Sequence, residues 1–212
     1  QAKFLELVHR LDRDTSGILL VAKKRSALKS LQDQFRERET GKTYLALVVG
    51  HWPANKKVLD KPLHKYLLDD GERRVKVVTR EDPDGMKSVT LVKLKQQFAV
   101  RPELVEGIAR APTGSARTNL FSLLEVTIKT GRTHQIRVHL ASEGMPIAGD
   151  DKYGDFELNR ALQKPSKGPA LKRMFLHAWR LQFNHPASGE RIELMAPLPL
   201  ALQQFLDHAL ST

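Results

Sequence analysis

The clearest pattern along the chain is a series of short apolar runs separated by polar turns. Ile18 to Ala22 is a compact apolar run, read as a buried strand. Ser26 then serves as the cap of a helix with Leu28, Leu31 and Phe35 on one stripe and Arg25, Lys29 and Arg36 on the other, with Gly41 as its end. Lys42 to Val49 is apolar on both faces and predicts a central strand. Arg74 to Val78 and Ser88 to Lys95 also read as strands, separated by the turn residues Asp82-Pro83-Asp84-Gly85.

Residues 99–119 have no clean period and carry two prolines, two glycines and arginines, so they read as an inserted loop. Regularity returns in Ser122 to Lys129, with Leu124, Val126 and Ile128 predicted inward and Glu125, Thr127 and Lys129 outward. A turn at Gly131 leads to a helix over 133–142, closed by Gly144. Phe175 to Phe183 and Arg191 to Met195 flank a turn and read as a hairpin, and Pro199 opens a last helix with Leu202, Phe205, Leu206 and Ala209 on its packed side. Strands outnumber helices without strict alternation, which predicts an α+β fold with a mixed, largely antiparallel sheet flanked by helices and loops.

Composition narrows the chemistry. The 212 residues suit one domain and bury a core without disulfides. The chain has no cysteine, which excludes a thiol nucleophile, thiolate metal sites and a disulfide scaffold. No apolar run approaches the roughly 20 residues of a membrane-spanning helix, and no signal peptide opens the chain, so the expectation is a soluble, cytoplasmic protein. The formal charge of +11 favours a polyanionic partner.

Two polar clusters can carry chemistry. The first is His9-Arg10-Leu11-Asp12-Arg13-Asp14-Thr15-Ser16-Gly17. Positive charge on both sides of Asp12 favours its ionised form, which suits a nucleophile or a general base. A plain turn explains Asp14, Thr15 and Ser16 better, as side chains satisfying backbone amides, and for Asp12 the two readings balance. The second cluster, Thr130-Gly131-Arg132-Thr133-His134-Gln135-Ile136-Arg137, spans a strand end and a helix start, a place suited to anions, with Arg132 beside it and Arg137 one turn further in. Arg137 offers a guanidinium that can grip a carboxylate in two places.

Alternatives are weaker. His134 and His139 stand about 140° apart on a helix of 3.6 residues per turn, a poor arrangement for one metal. Ser16 lies outside a nucleophile-elbow motif. Asp12 and Asp14, if extended, stand about 7 Å apart, which fits an inverting glycosidase pair. Against that, aromatic residues make up only 6% of the chain, few for a sugar site. Tyr44 reads as a core residue with a satisfied hydroxyl, or as a base-stacking residue in an RNA enzyme.

HRLDRDTSG, GKTYLALVVG and TGRTHQIRVHLASEGMPIAGDDKYGD together resemble the ribosomal large-subunit pseudouridine synthases of the RluA group. ALKSLQDQFRE, GERRVKV and GDDKYGD are most similar to its RluC branch. The resemblance implies a pseudouridine synthase fold with a central catalytic cleft, isomerisation of uridines in 23S ribosomal RNA, and no metal or organic cofactor. It assigns Asp12 as the catalytic nucleophile, Arg137 as its partner, Tyr44 as the residue stacked on uracil and Ile136 as the one beneath it. It also places Arg10 in the duplex where the base leaves, and makes Arg132, His134 and Gln135 RNA contacts.

The family's earlier strand with a Lys-Pro-x-Gly motif and the branch's N-terminal S4-type RNA-binding module do not precede HRLD here, so 1–212 is expected to be a catalytic-domain fragment, acting as a monomer on ribosomal RNA. A non-catalytic RNA-binding module of the same fold is the alternative from a different class.

Overall fold

The computed structural model describes residues 4–99, 101 and 120–209, so the expected insertion at 99–119 lies almost wholly outside the described residues. In chain order the elements are β1 (Glu6–Leu7), β2 (Ser16–Gly17), β3 (Val21–Ala22), α1 (Arg25–Arg36), β4 (Gly41–Val49), β5 (Val58–Asp60), β6 (Leu63–Leu67) and β7 (Arg73–Val77). They continue with β8 (Val89–Ala99), β9 (Leu120–Ile128), α2 (Gln135–Ser142), α3 (Phe156–Gln163), β10 (Leu176–Asn184), β11 (Arg191–Met195) and α4 (Leu200–Ala209).

The main sheet runs β11-β10-β4-β9-β8-β5, with β2 joined to β10. Its neighbours are antiparallel except β2 and β10, which pair in parallel. β6 and β7 form a separate antiparallel hairpin. This is the mixed, mostly antiparallel α+β architecture expected.

The sheet is covered on both faces where β4 and β9 cross its middle. Leu47, Val49, Phe121 and Leu123 pack on one side with Leu158 and Leu162 of α3 and Leu202, Phe205 and Leu206 of α4. Ala46, Val48, Leu124 and Val126 pack on the other with Ile136 and Leu140 of α2. Each such large apolar side chain contributes roughly 1.5–3 kcal/mol relative to exposure. The inward and outward halves expected for β9 hold only near its end, because Phe121 and Leu123 are as buried as Leu124 and Val126.

Three boundaries differ from expectation. The run at 18–22 is not one buried strand. Gly17 sits at φ +116°, the chain turns off β10 there, and only Val21 and Ala22 pair with β1, which leaves Leu19 and Val21 exposed. α1 starts at Arg25 with Lys24 as its cap residue and no side-chain cap bond, so Ser26 lies inside the helix. Its apolar stripe is as expected, with Leu31 buried and Leu28 and Phe35 packed beside it. The helix ends before a left-handed Arg38 (φ 62°), and Gly41 opens β4 instead, where a Cβ would stand 2.7 Å from the Gln182 Oε1 atom across β10.

Candidate active site

Asp12 stands on a loop pinned at both ends. The Thr15 N–H donates to the Asp12 carbonyl at 3.0 Å, closing a turn, and Gly17 then passes so close to β10 that a Cβ would meet the Ala178 oxygen at 2.2 Å. Ser16 adds a side-chain tie. His177 Nε2 lies 2.9 Å from the Ala196 carbonyl, which can only accept, so Nδ1 of the neutral ring accepts from the Ser16 hydroxyl at 2.8 Å. The Asp14 and Ser16 side chains therefore do not cap backbone amides as expected. Asp14 pairs with Arg13 at 3.0 Å, and Ser16 with His177. The turn also ends the extended Asp12/Asp14 arrangement, and Asp14 does not line the cleft described next.

Asp12 opens into a cleft of about 690 Å³. One wall is its own loop and the end of α1, and the other is the end of β9, the Thr130–Thr133 turn and α2. Arg10, Arg36, Arg38, Lys42, Lys129 and Arg132 line it beside Arg137, and among the described residues Asp12 is the one carboxylate in the lining. Such a surface concentrates a polyanion.

Arg137 comes from the third position of α2. It donates to Asp150 through Nε (2.8 Å) and Nη2 (2.7 Å), to Asp151 at 3.2 Å, and to Asp12 through Nη1 at 3.3 Å. Its side chain is 6% exposed, that of Asp150 1% and that of Asp12 23%. Burial works against the guanidinium's charge, but the hydrogen bonds and charges of Asp150 and Asp12 outweigh it and hold the proton more tightly than usual. Burial likewise disfavours the charge of Asp150, yet Arg137 pulls its pKa below the ordinary value. Tyr153 completes the setting: Arg137 lies 5.3 Å over its ring, and its hydroxyl accepts from the Val75 N–H at 3.0 Å.

Tyr44 and Ile136 face the same cleft and share one apolar cluster. Burial, with the charge of Asp12 behind it, pushes the Tyr44 hydroxyl up to about 12, so it stays protonated near neutrality. His134 takes a left-handed conformation (φ 52°) just before α2, which begins at Gln135 rather than 133. Its Nδ1 meets the Tyr153 hydroxyl at 2.8 Å, and burial foremost lowers its pKa, Asp12 opposing. His139 lies elsewhere, between Thr90 and the Lys61 carbonyl. Arg10 is exposed at the mouth, and Arg132 is half-buried in the wall.

Gln135 departs from expectation. Its Oε1 accepts from Thr130 Oγ1 (2.7 Å) and the Arg132 N–H (3.1 Å), and its Nε2 donates to the Val89 carbonyl (3.0 Å) and Thr90 Oγ1 (2.9 Å). Those four bonds exhaust a carboxamide, and the residue is 3% exposed. Gln135 fastens α2 to β8 and has no group left for RNA. Sequence reasoning also missed Asp150 and Tyr153. The one signal was the doubled carboxylate in GDDKYGD, which shows its value only once the fold brings Asp150 under Arg137.

The chain is similar to known proteins. The family model described as RNA pseudouridylate synthase matches residues 1–142. Ribosomal large subunit pseudouridine synthase C of Salmonella typhimurium is 46% identical over 206 residues, 97% of this chain and 56% of the relative. The protein of the same name from Escherichia coli K12 is 45% identical over the same shares. The chain thus spans about half the length of the curated relatives it matches. Among solved structures, Human RNA Pseudouridylate Synthase Domain Containing 1 superposes with a TM-score of 0.70 at 26% identity, over 92% of this chain and 69% of that one. Human RNA Pseudouridylate Synthase Domain Containing 4 gives 0.67 at 26% identity, over 97% and 76%. With a family model matching more than half its residues and relatives near 45% identity along nearly its whole length, this chain belongs to the RNA pseudouridylate synthase family.

Proposed function

We propose that this chain is the catalytic domain of a soluble, cytoplasmic enzyme that isomerises uridines of 23S ribosomal RNA to pseudouridine, with Asp12 as nucleophile. The observation that carries the reading is the Asp12 carboxylate, 23% exposed on the floor of a cation-lined cleft, steadied by Arg137 and facing Tyr44 and Ile136. The names of its relatives supply the substrate class.

The reaction breaks the bond from uracil N1 to ribose C1′ and forms one from C5 to C1′. The proton leaves C5, N1 gains one, and no atom is added or lost. Asp12 assists by attacking C1′, by adding to the ring, or by removing the C2′ proton. Each route needs a carboxylate that the substrate can reach, and Asp12 is partly exposed with Arg137 Nη1 3.3 Å from one of its oxygens. The detached base must be kept in place while it turns, a task for the Tyr44 ring above and Ile136 beneath. Because its hydroxyl is held protonated, Tyr44 serves as a stacking surface rather than a base.

Reaching a paired uridine requires flipping it out, at a cost of a few kcal/mol. Arg10 at the mouth fills the gap left behind, and phosphate contacts from Arg132 and the other cations offset the cost. His134 contributes a further polar contact from the α2 side of the cleft.

Tritium release from ribosomal RNA labelled at uridine C5 tests the reading. Release by the wild-type protein and none by Asp12→Ala, with RNA affinity retained, is the expected result. Equal release from both would remove Asp12 from its role, and binding without release by either would favour a non-catalytic RNA-binding module.

A further inference from the structure

We propose that Lys42, seated against Gly131, holds a backbone phosphate of the same nucleotide whose base lies on Tyr44. The assignment rests on the uridine-isomerase reading and adds a subsite to it.

Lys42 and Tyr44 are two residues apart on β4, so both side chains stand on one face, about 7 Å apart along the strand. Both line the cleft. A nucleotide with its base on Tyr44 and its sugar at Asp12 carries its phosphates within the cleft that Lys42 also lines.

The surroundings of the ammonium are unusual for a lysine. Its Nζ stands 5.4 Å over the Phe35 ring. Nζ also lies against the turn after β9, where a Cβ on Gly131 would stand 3.2 Å from it and press the ammonium aside by a few tenths of an ångström. His9 stacks on Phe35 at 4.8 Å, accepts the Leu20 N–H on Nε2, and is kept neutral by burial and by the charge of Lys42 itself. Arg180, which shares a small space behind Lys42, faces Glu193 at 3.7 Å.

Among the described residues no carboxylate pairs with Lys42, and burial alone moves its pKa, downward. Two other cations of the cleft have carboxylate partners, Arg36 with Asp33 and Arg137 with Asp150; Lys42 differs from the remaining ones in its burial. A desolvated ammonium with no counter-charge is costly, so the missing charge belongs to a ligand.

A phosphate supplies a full negative charge, whereas the uracil carbonyls are neutral and would leave the ammonium uncompensated. Arg36, Arg38 and Lys129 line the same cleft and can follow the adjoining phosphates.

The test compares wild type, Lys42→Met and Lys42→Arg on a ribosomal RNA fragment, reading affinity against salt alongside tritium-release kinetics. Methionine keeps the volume of the stem and removes the charge. Loss of one phosphate contact lowers the slope of log affinity against log salt by about 0.7–0.9. Lys42→Met is expected to show that drop and a KM raised about tenfold, acting on KM more than on kcat, with Lys42→Arg restoring the slope.

A neutral methylphosphonate placed on either side of the target uridine should weaken wild-type binding at one position at which Lys42→Met is insensitive. An unchanged slope in Lys42→Met, or equal sensitivity of both proteins to both methylphosphonates, would overturn the assignment. A slope unchanged while kcat collapses would move Lys42 to the base and overturn it too. The isomerase reading fails differently, by absent tritium release from the wild type, and the slope reports on Lys42 in that case as well.

Discussion

Arg137 is gripped by Asp150 at 2.8 and 2.7 Å, a two-point contact between side chains that are 6% and 1% exposed. Asp12 receives only the remaining Nη1, at 3.3 Å. The arginine thus belongs structurally to Asp150, and reaches toward Asp12 from a fixed position. A carboxylate locked in a two-point pair would have to break it before touching a substrate. Asp12 has one long contact to give up.

That division predicts unequal costs. Asp150→Asn leaves a buried guanidinium short of its main counter-charge and should lose about 3–5 kcal/mol of stability. Asp12→Asn removes one partly exposed contact and should lose less than about 1 kcal/mol while abolishing tritium release. Urea unfolding of the two variants decides it, and equal losses would mean that Asp12 shares in holding Arg137.

Arg137→Met strands Asp150, so its effect on chemistry is best read in the Arg137→Met/Asp150→Asn pair, where neither charge is left alone. Turnover should fall by about 10²–10³, the usual effect of removing one positioned donor. RNA affinity should change little, because Arg137 is 6% exposed and lies beneath Asp12 rather than at the rim. Comparable losses in affinity and turnover would make Arg137 an RNA contact instead.

Tyr44 separates ring from hydroxyl. Tyr44→Ala removes the stacking surface, worth about 1–3 kcal/mol per base, and should lower kcat/KM by roughly 10- to 100-fold. Tyr44→Phe keeps the ring and should stay within about threefold of wild type. With the hydroxyl pushed up to about 12, its ionisation should leave no inflection in the pH–rate profile up to pH 10. Should the phenylalanine variant be as damaged as the alanine one, the hydroxyl itself takes part.

Much of this was legible in the chain, for physical reasons. β4 announces itself because a strand buried on both faces must be apolar on both faces, β9 because the end of it alternates between apolar and polar residues, and α4 because its stripe repeats at helical spacing. The meeting of Asp12 and Arg137, 125 positions apart, was readable only from the family's motifs, since no local pattern encodes a contact between a loop and a distant helix. Asp150 was missed because a buried carboxylate looks like a surface one until its partner is known. Gln135 was misread for the converse reason. A carboxamide in a polar motif looks available, and only the four bonds to Thr130, Arg132, Val89 and Thr90 show that it is used up. The run at 18–22 misled because its hydrophobicity serves a cover over α1 rather than a strand in the sheet.

Acid should unfold the protein in two stages, beginning with histidines. His139 and His177 are 0% and 1% exposed, and each gives Nε2 to a backbone carbonyl while Nδ1 faces a hydroxyl, Thr90 for one and Ser16 for the other. Burial lowers the pKa of both below the ordinary 6.5. A lowered folded pKa means that the unfolded chain takes up the proton first as pH falls, so the stability these rings lend is complete above about pH 6.5 and drains away below it. Asp150 and Glu143 act later. Their folded pKa values lie below the ordinary 3.8 and 4.5, so their share persists until the pH drops under about 4.5. Thermal melts should therefore show Tm declining between pH 7.5 and 5.5, by roughly 2–4 °C for each kcal/mol lost, before Asp150 and Glu143 take up protons. His177→Asn should lower Tm at pH 7.5 and flatten part of that first decline. Because Ser16 ties the Asp12 loop to His177, the same variant should lose tritium-release activity at temperatures where it is still folded. A Tm unchanged from pH 7.5 to 5.5 would mean that neither ring is held neutral in the folded protein.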